Sequence, residues 1–186
     1  MISAAIKKQL RLPEVGQVGY VVSDVDRAIV RYKETFAMGP WMLLDGRPEP
    51  CIEGGREVHP LLRIALAYAG SVQVEFIQVI EGESFHLQHV GKSEGEVHHL
   101  GFMVQDIARR LDAYRKRGIE VLQRGTIKVA GVSVEYAYLD TVGQADIIIE
   151  LLQWRLGPLP LPVNRVTFNI ACGIGAKTLL KGRIIR

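Results

Sequence analysis

The chain has 186 residues, 48% hydrophobic and 23% charged, with 19 glycines and a formal net charge of +3. That composition excludes disordered, collagenous and coiled-coil proteins. A chain of this length buries roughly 70% of its unfolded surface, enough for one domain, or two small halves sharing a core, without disulfide staples. Cys51 and Cys172 stand far apart without CxxC spacing, so neither a disulfide framework nor a zinc ribbon is expected. From Arg155 onward the chain carries Arg155, Arg165, Lys177, Lys181, Arg183 and Arg186 and no acid, so a mildly acidic body precedes a basic tail. No basic stripe with interleaved aromatics points to nucleic acid. No apolar run approaches a membrane span, and the first residues lack a secretory apolar core, so the expected location is cytoplasmic.

In chain order, the pattern predicts a strand over 15–22 that runs into Asp24, a good helix N-cap. A helix follows with Val25, Ile29 and Tyr32 on one stripe, ending at Gly39. Three β-rich runs come next, at 41–44, 62–69 and 72–79, with the Gly/Pro/Glu-rich stretch 46–60 read as a loop. Residues 81–96 read as a linker with one helical turn. The grammar then restarts: a strand over 97–104, Asp106 as N-cap, a helix with Ile107, Leu111 and Tyr114 ending at Gly118, and runs at 119–123, 132–139 and 146–152.

The restart is a repeat. QVGYVVSDVDRAIVRYKE at 17–34 aligns with HLGFMVQDIARRLDAYRK at 99–116, matching Gly19 to Gly101, Asp24 to Asp106 and Tyr32 to Tyr114. Later, Glu75-Phe-Ile-Gln78 returns as Glu150-Leu-Leu-Gln153. The expected fold class is therefore α+β: two βαβββ modules, about 13–80 and 96–154, forming a curled, mostly antiparallel sheet. Residues 13–154 form the predicted domain and 155–186 a basic C-terminal extension.

Strand alternation asks which face of each strand meets its helix. Val18, Tyr20 and Val22 form one apolar face and leave Gln17 and Gly19 opposite; Leu100, Phe102 and Val104 leave His99 and Gly101. Val72, Val74 and Phe76 leave Gln73, Glu75 and Ile77, and Ile147, Ile149 and Leu151 leave Ile148, Glu150 and Leu152. Each second face thus carries a polar residue at an equivalent place: Gln17, Glu75, His99 and Glu150. Any one of them alone reads more simply as a solvated side chain or a satisfied core histidine. The set, if the sheet curls around one cavity, brings together two carboxylates, an imidazole and an amide oxygen, an arrangement that a divalent cation relieves.

The paired modules, the two strand–helix junctions and the late IIIELLQ strand resemble the vicinal oxygen chelate superfamily, which includes glyoxalase I, methylmalonyl-CoA epimerase, extradiol dioxygenases and bleomycin-resistance proteins. In that family each module supplies one metal ligand from its first strand and one from its last. The resemblance implies Gln17, Glu75, His99 and Glu150 as ligands, the same residues that parity selects. The Gln-Glu-His-Glu order is similar to zinc-type glyoxalase I, while GEVHHLGFMVQDI is similar to the junction of methylmalonyl-CoA epimerases.

One imidazole among oxygen ligands suits one divalent ion per site, zinc first, with nickel, cobalt, manganese or iron as alternatives. The expected activity is a glyoxalase I-like lyase or isomerase moving a proton on the carbon beside a metal-bound carbonyl, via an enediolate. Glu150 is the expected base, with Glu75 second. The alternatives are a methylmalonyl-CoA epimerase-like activity or a non-catalytic small-molecule-binding protein of the bleomycin-resistance type. A small-molecule substrate and a homodimer are the expected partners. Arg63 and Glu135 are read as cavity-side strand residues, as substrate contacts or as a cross-strand pair. His86 and His89 read as surface histidines of the linker, and His98 is expected to point away from His99. The tail's GIGAKT lacks the Gly-Lys step of a phosphate loop. For the tail, covering a partner subunit, covering the cavity and disorder all remain open.

Overall fold

The structure, a computed structural model, describes residues 8, 10–90, 95–129, 131–174 and 183–185. The first half runs β1 (Gln17–Val21), α1 (Val25–Phe36), β2 (Trp41–Gly46), β3 (Cys51–Glu53), β4 (Arg56–Glu57), β5 (Leu61–Ala69) and β6 (Val72–Glu81). A 3₁₀ turn at Phe85–Gln88 leads to the second half: β7 (His99–Met103), α2 (Ile107–Arg115), β8 (Val121–Val129), β9 (Val132–Leu139), α3 (Val142–Ala145) and β10 (Ile148–Leu156). The chain ends with β11 (Leu159–Pro160), α4 (Arg165–Ile174) and β12 (Arg183–Ile185).

One sheet takes the order β12-β2-β5-β6-β1-β7-β10-β9-β8-β3-β4, with β11 added to β10. Pairing is antiparallel except for β1 with β6 and β7 with β10. The halves meet at the antiparallel β1–β7 seam, where Gln17 faces Gly101 and Gly19 faces His99. The sheet curls until its far strands approach one another: a Cβ on Gly46 of β2 would stand 3.8 Å from Ile127 of β8.

Each half covers its convex face with its own helix. Val25 and Ile29 pack on Trp41, Val74 and Phe76; Ile107, Leu111 and Tyr114 pack on Phe102, Ala137 and Leu151. The Asp24 and Asp106 carboxylates cap these helices as predicted, accepting from the N–H groups of Arg27 (3.0 Å) and Arg109 (3.4 Å). The repeated glutamines complete the caps. Gln78 Oε1 accepts from Val25 N–H and Gln153 Oε1 from Ile107 N–H, each at 3.0 Å. The Glu-x-x-Gln echo therefore has a physical reason: an odd spacing sends the glutamate to the concave face and the glutamine to the helix on the other side.

Several expectations need correction. Helix α1 ends on Ala37, in the left-handed conformation with φ 52°, rather than at Gly39. The stretch 46–60 is not merely a loop. Gly54 and Gly55, both at positive φ, close a two-residue hairpin between β3 and β4. Strand β3 then crosses to the other half and pairs with β8. At the opposite end β12 pairs with β2. Both long outer strands, β2 and β8, thus gain a partner, and the edges of the sheet pass to the short strands β12 and β4.

Arg63 and Glu135 do not face the cavity. Arg63 pairs with Asp45 across the strands at 2.8 Å and lies 3.6 Å from Asp26 of α1. Glu135 shares a surface depression with Leu111 of α2. In both strands the even-numbered neighbours line the concave side instead. In the tail, Gly157 turns the chain back as β11, and α4 sets Phe168 and Cys172 against Met42 and Leu66, with Phe168 5.2 Å from the Tyr68 ring. Most of GIGAKT lies outside the described residues.

Candidate metal centre

The concave face encloses a cavity of ≈ 60 Å³. Leu44, Leu62, Ile64, Leu66 and Ile77 line it from the first half; Ile127, Val134, Leu152 and Trp154 line it from the second. Gln17, Asp45, Glu75, His86, Tyr136, Tyr138 and Glu150 supply its polar groups. Alternation along β1, β6 and β10 puts Gln17, Glu75 and Glu150 there, as the parity of the sequence required.

The structure brings three of the four predicted residues into direct contact. His99 Nε2 lies 3.1 Å from Glu150 Oε2 and 3.3 Å from Glu75 Oε2. One ligand-type atom from each of the three lies within 4.8 Å of the others. Gln17 sits beside them on the seam strand, its amide N–H donating to Gln73 Oε1 at 2.9 Å, which leaves its own oxygen free. All four residues are buried: Gln17 is 1% exposed, Glu75 7%, His99 0% and Glu150 2%.

Two glycines make this arrangement possible. A Cβ at Gly19 would stand 1.8 Å from His99 Cε1, and one at Gly101 would stand 2.6 Å from Gln17 Oε1. Each seam strand therefore lays its polar side chain over the other's glycine. The matched Gly19 and Gly101 of the repeat are clearance for the two polar residues that face them.

Gln17 Oε1, Glu75 Oε2, His99 Nε2 and Glu150 Oε2 all lack a hydrogen-bond partner among the described residues. A buried polar atom left so costs about 1–3 kcal/mol, and four orphans of complementary type on the predicted residues match the donor set of a divalent cation. The electrostatics agree. Burial, reinforced by the charge of Glu150, raises the Glu75 pKa above the ordinary carboxylate range. Burial also disfavours charge on His99, but the two carboxylates outweigh it and lift its pKa to about 9.

Surrounding residues hold the four in place. His99 Nδ1 lies 3.0 Å from His98 Nδ1. Burial, then the charges of His86 and His99, strongly lowers the His98 pKa, so His98 is neutral, and the protonated His99 donates its Nδ1–H to His98 Nδ1. His98 does not point away from His99 as expected, because it precedes β7 and escapes the alternation of the strand. Tyr138 packs 5.2 Å from the His99 ring, and burial with the charges of Glu150 and Glu75 keeps its hydroxyl protonated well above its ordinary pKa.

His86 is a second correction. It is fully buried in the cavity wall, 5.2 Å from the Tyr138 ring, not a surface histidine of the linker. His89 packs against His98 at 4.5 Å. Gln73, which alternation places on the same face as Glu75 but to which the sequence assigns no role, is the support of Gln17.

A curled sheet of two βαβββ units whose first and last strands point polar side chains into one cavity defines the glyoxalase-type fold. The chain belongs to the glyoxalase/bleomycin resistance protein/dioxygenase superfamily, whose family model matches residues 16–138. No curated protein matches the sequence. Among solved structures, methylmalonyl-CoA epimerase from Mycobacterium tuberculosis is similar at 18% identity and TM-score 0.57, covering 87% of this chain and 94% of that one. A Streptomyces coelicolor methylmalonyl-CoA epimerase in complex with 2-nitronate-propionyl-CoA is similar at 16% identity and TM-score 0.53, covering 82% and 100%. Hypothetical protein BH1468 from Bacillus halodurans C-125 is similar at 17% identity and TM-score 0.51, covering 75% and 92%. At these identities the likeness is one of fold. No helix among the described residues is long and apolar enough to cross a membrane.

Proposed function

We propose that the chain is a divalent-metal-dependent lyase or isomerase that moves a proton on the carbon beside a substrate carbonyl. Gln17, Glu75, His99 and Glu150 would hold the ion. The observation that carries this reading is the set of four buried, unpartnered donor atoms on the first and last strands of the two halves. A bound divalent ion supplies a Lewis acid that lowers the cost of negative charge on a substrate oxygen.

The residues of the chain supply the rest. Glu150 sits between Ile149 and Leu151 on β10, with its side chain 3% exposed, and is the general base for the carbon-bound proton. Glu75, the second carboxylate against His99 Nε2 at 3.3 Å, is placed to deliver a proton to the adjacent carbon or oxygen. Tyr138 stays protonated beside them and offers its hydroxyl as a donor. The aliphatic walls exclude water and receive the substrate's apolar substituent.

Two substrate series fit this chemistry: hemithioacetals of methylglyoxal with thiols, the glyoxalase I-like reading, and 2-substituted acyl-CoA thioesters, which the epimerase neighbours support. The non-catalytic binding protein is disfavoured because it has no use for a second buried carboxylate at the site. The test is deuterium incorporation at the substrate carbon in heavy water by the metal-loaded protein. The account expects exchange with one series and its loss in Glu150→Gln even when excess metal keeps that variant loaded. No exchange with either series would overturn it.

A further inference from the structure

His86 carries a signal that the proton-transfer reading does not use. Its ring is fully buried, it lines the same cavity as Glu75 and Glu150, and its Nε2 has no partner among the described residues. A chain of contacts from three separate elements fixes its other nitrogen. Glu53 Oε2, on β3, accepts from the Phe85 backbone N–H at 3.0 Å and from Gln123 Nε2 at 2.8 Å. That orients the Gln123 amide, whose Oε1 accepts from the Tyr136 hydroxyl at 3.0 Å. The same Nε2 donates its second hydrogen to Ser84 Oγ at 3.3 Å. The Ser84 hydroxyl hydrogen is then left one acceptor among these contacts, His86 Nδ1, 2.7 Å away.

If Nδ1 accepts, the proton of the neutral ring sits on Nε2. Burial, then the charges of His99 and His89, pushes the His86 pKa down to about 3, so the ring is neutral in any ordinary buffer. The outcome is a fixed, uncharged N–H donor in a largely apolar cavity with nothing to receive it. Such a group is costly in the free protein and useful when a ligand supplies the acceptor.

We propose that His86 is a substrate-contacting residue whose Nε2–H donates to an oxygen of the bound ligand, a small carbonyl or carboxylate compound with an apolar substituent. This rests on the proposed proton-transfer site only for where the ligand lies. As Glu150 removes the carbon-bound proton, the C–H electron pair forms the C=C bond and the carbonyl π pair moves onto oxygen. The His86 hydrogen bond strengthens to that oxygen while the ring keeps its proton. Glu53, Gln123 and Ser84 are positioning residues that set the tautomer.

The test pairs NMR of isotope-labelled histidine with binding of 2-oxobutyrate to the zinc-loaded protein. His86 should show the Nε2–H tautomer, assigned by its loss in His86→Gln, and Ser84→Ala should mix the tautomers. Adding 2-oxobutyrate should shift the Nε2–H resonance. His86→Leu should bind the probe about tenfold more weakly, while His86→Gln, which keeps an N–H near the same place, recovers most of the loss. Both variants should keep the wild-type metal content. An Nδ1–H tautomer, an unperturbed His86 resonance, or wild-type affinity in His86→Leu would each overturn the proposal. Failure of the wild type to hold zinc would instead overturn the metal reading, and the tautomer and probe shift are then read on the metal-free protein.

Discussion

The first half of the sheet presents an aliphatic wall to the cavity, Leu44, Leu62, Ile64, Leu66 and Ile77, with α4 packed over Met42 and Leu66 beside it. The second half mixes Ile127, Val134 and Leu152 with Tyr136, Tyr138 and Trp154, and the linker adds His86. Backbone and ligand positions repeat, yet the lining does not. The first and last strands of both halves each carry a buried polar residue at an equivalent place: Gln17, Glu75, His99 and Glu150. The remaining concave positions diverge: the aromatic side chains Tyr136, Tyr138 and Trp154 come from the second half alone, while both halves contribute aliphatic residues. The supports differ too. Gln17 leans on Gln73 from β6, whereas His99 leans on its chain neighbour His98.

The largest effect should come from the base. Glu150→Gln should lower turnover by about 10²–10⁴-fold, measured as proton exchange. Equal losses in Glu150→Gln and Glu75→Gln would show that the halves share the base role.

Acid should weaken metal uptake next most strongly. His99 must lose a proton before Nε2 can bind, and its pKa in the metal-free protein is about 9. Apparent affinity should therefore fall about tenfold for each pH unit below that value, and flatten above it. Isothermal titration at several pH values checks this. A flat profile between neutral pH and pH 9 would contradict it.

The seam glycines sharpen the comparison further. Gly19→Ala drives a Cβ into the rigid His99 ring, whereas Gly101→Ala meets the movable ends of Gln17 and Leu152 as well as Gln17 Cβ, 2.8 Å away, which cannot swing aside. Denaturant unfolding should show about 2–3 kcal/mol lost for Gly19→Ala and about 1–2 kcal/mol for Gly101→Ala. Gly19→Ala should also lose metal. The smallest effect belongs to the support of Gln17: Gln73→Leu should weaken metal binding about tenfold, with little change in thermal stability.

Much of this was legible in the sequence, for physical reasons that differ by residue. Alternation on β1, β6, β7 and β10 is strict because one face of each meets a helix, so parity located Gln17, Glu75, His99 and Glu150. Asp24 and Asp106 announced the helices because a cap is a local interaction. What depends on packing between distant segments was not legible. The density of Pro and Gly in 46–60 hid β3 and β4, although Gly54-Gly55 is a hairpin signal. His86 looked like a surface residue because nothing in its own segment shows that Ser84, Gln123 and Tyr138 enclose it. The tail's docking through Phe168 depends on an apolar strip formed only when β2 and β5 pair.

The central claim is a metal centre built from four strands, and elemental analysis of untagged protein purified without added metal tests it most directly. The account predicts about one divalent ion per chain, absent from the Gln17→Ala/His99→Ala variant. Metal-free protein that takes up none of Zn²⁺, Mn²⁺, Co²⁺ or Ni²⁺ on addition would contradict it.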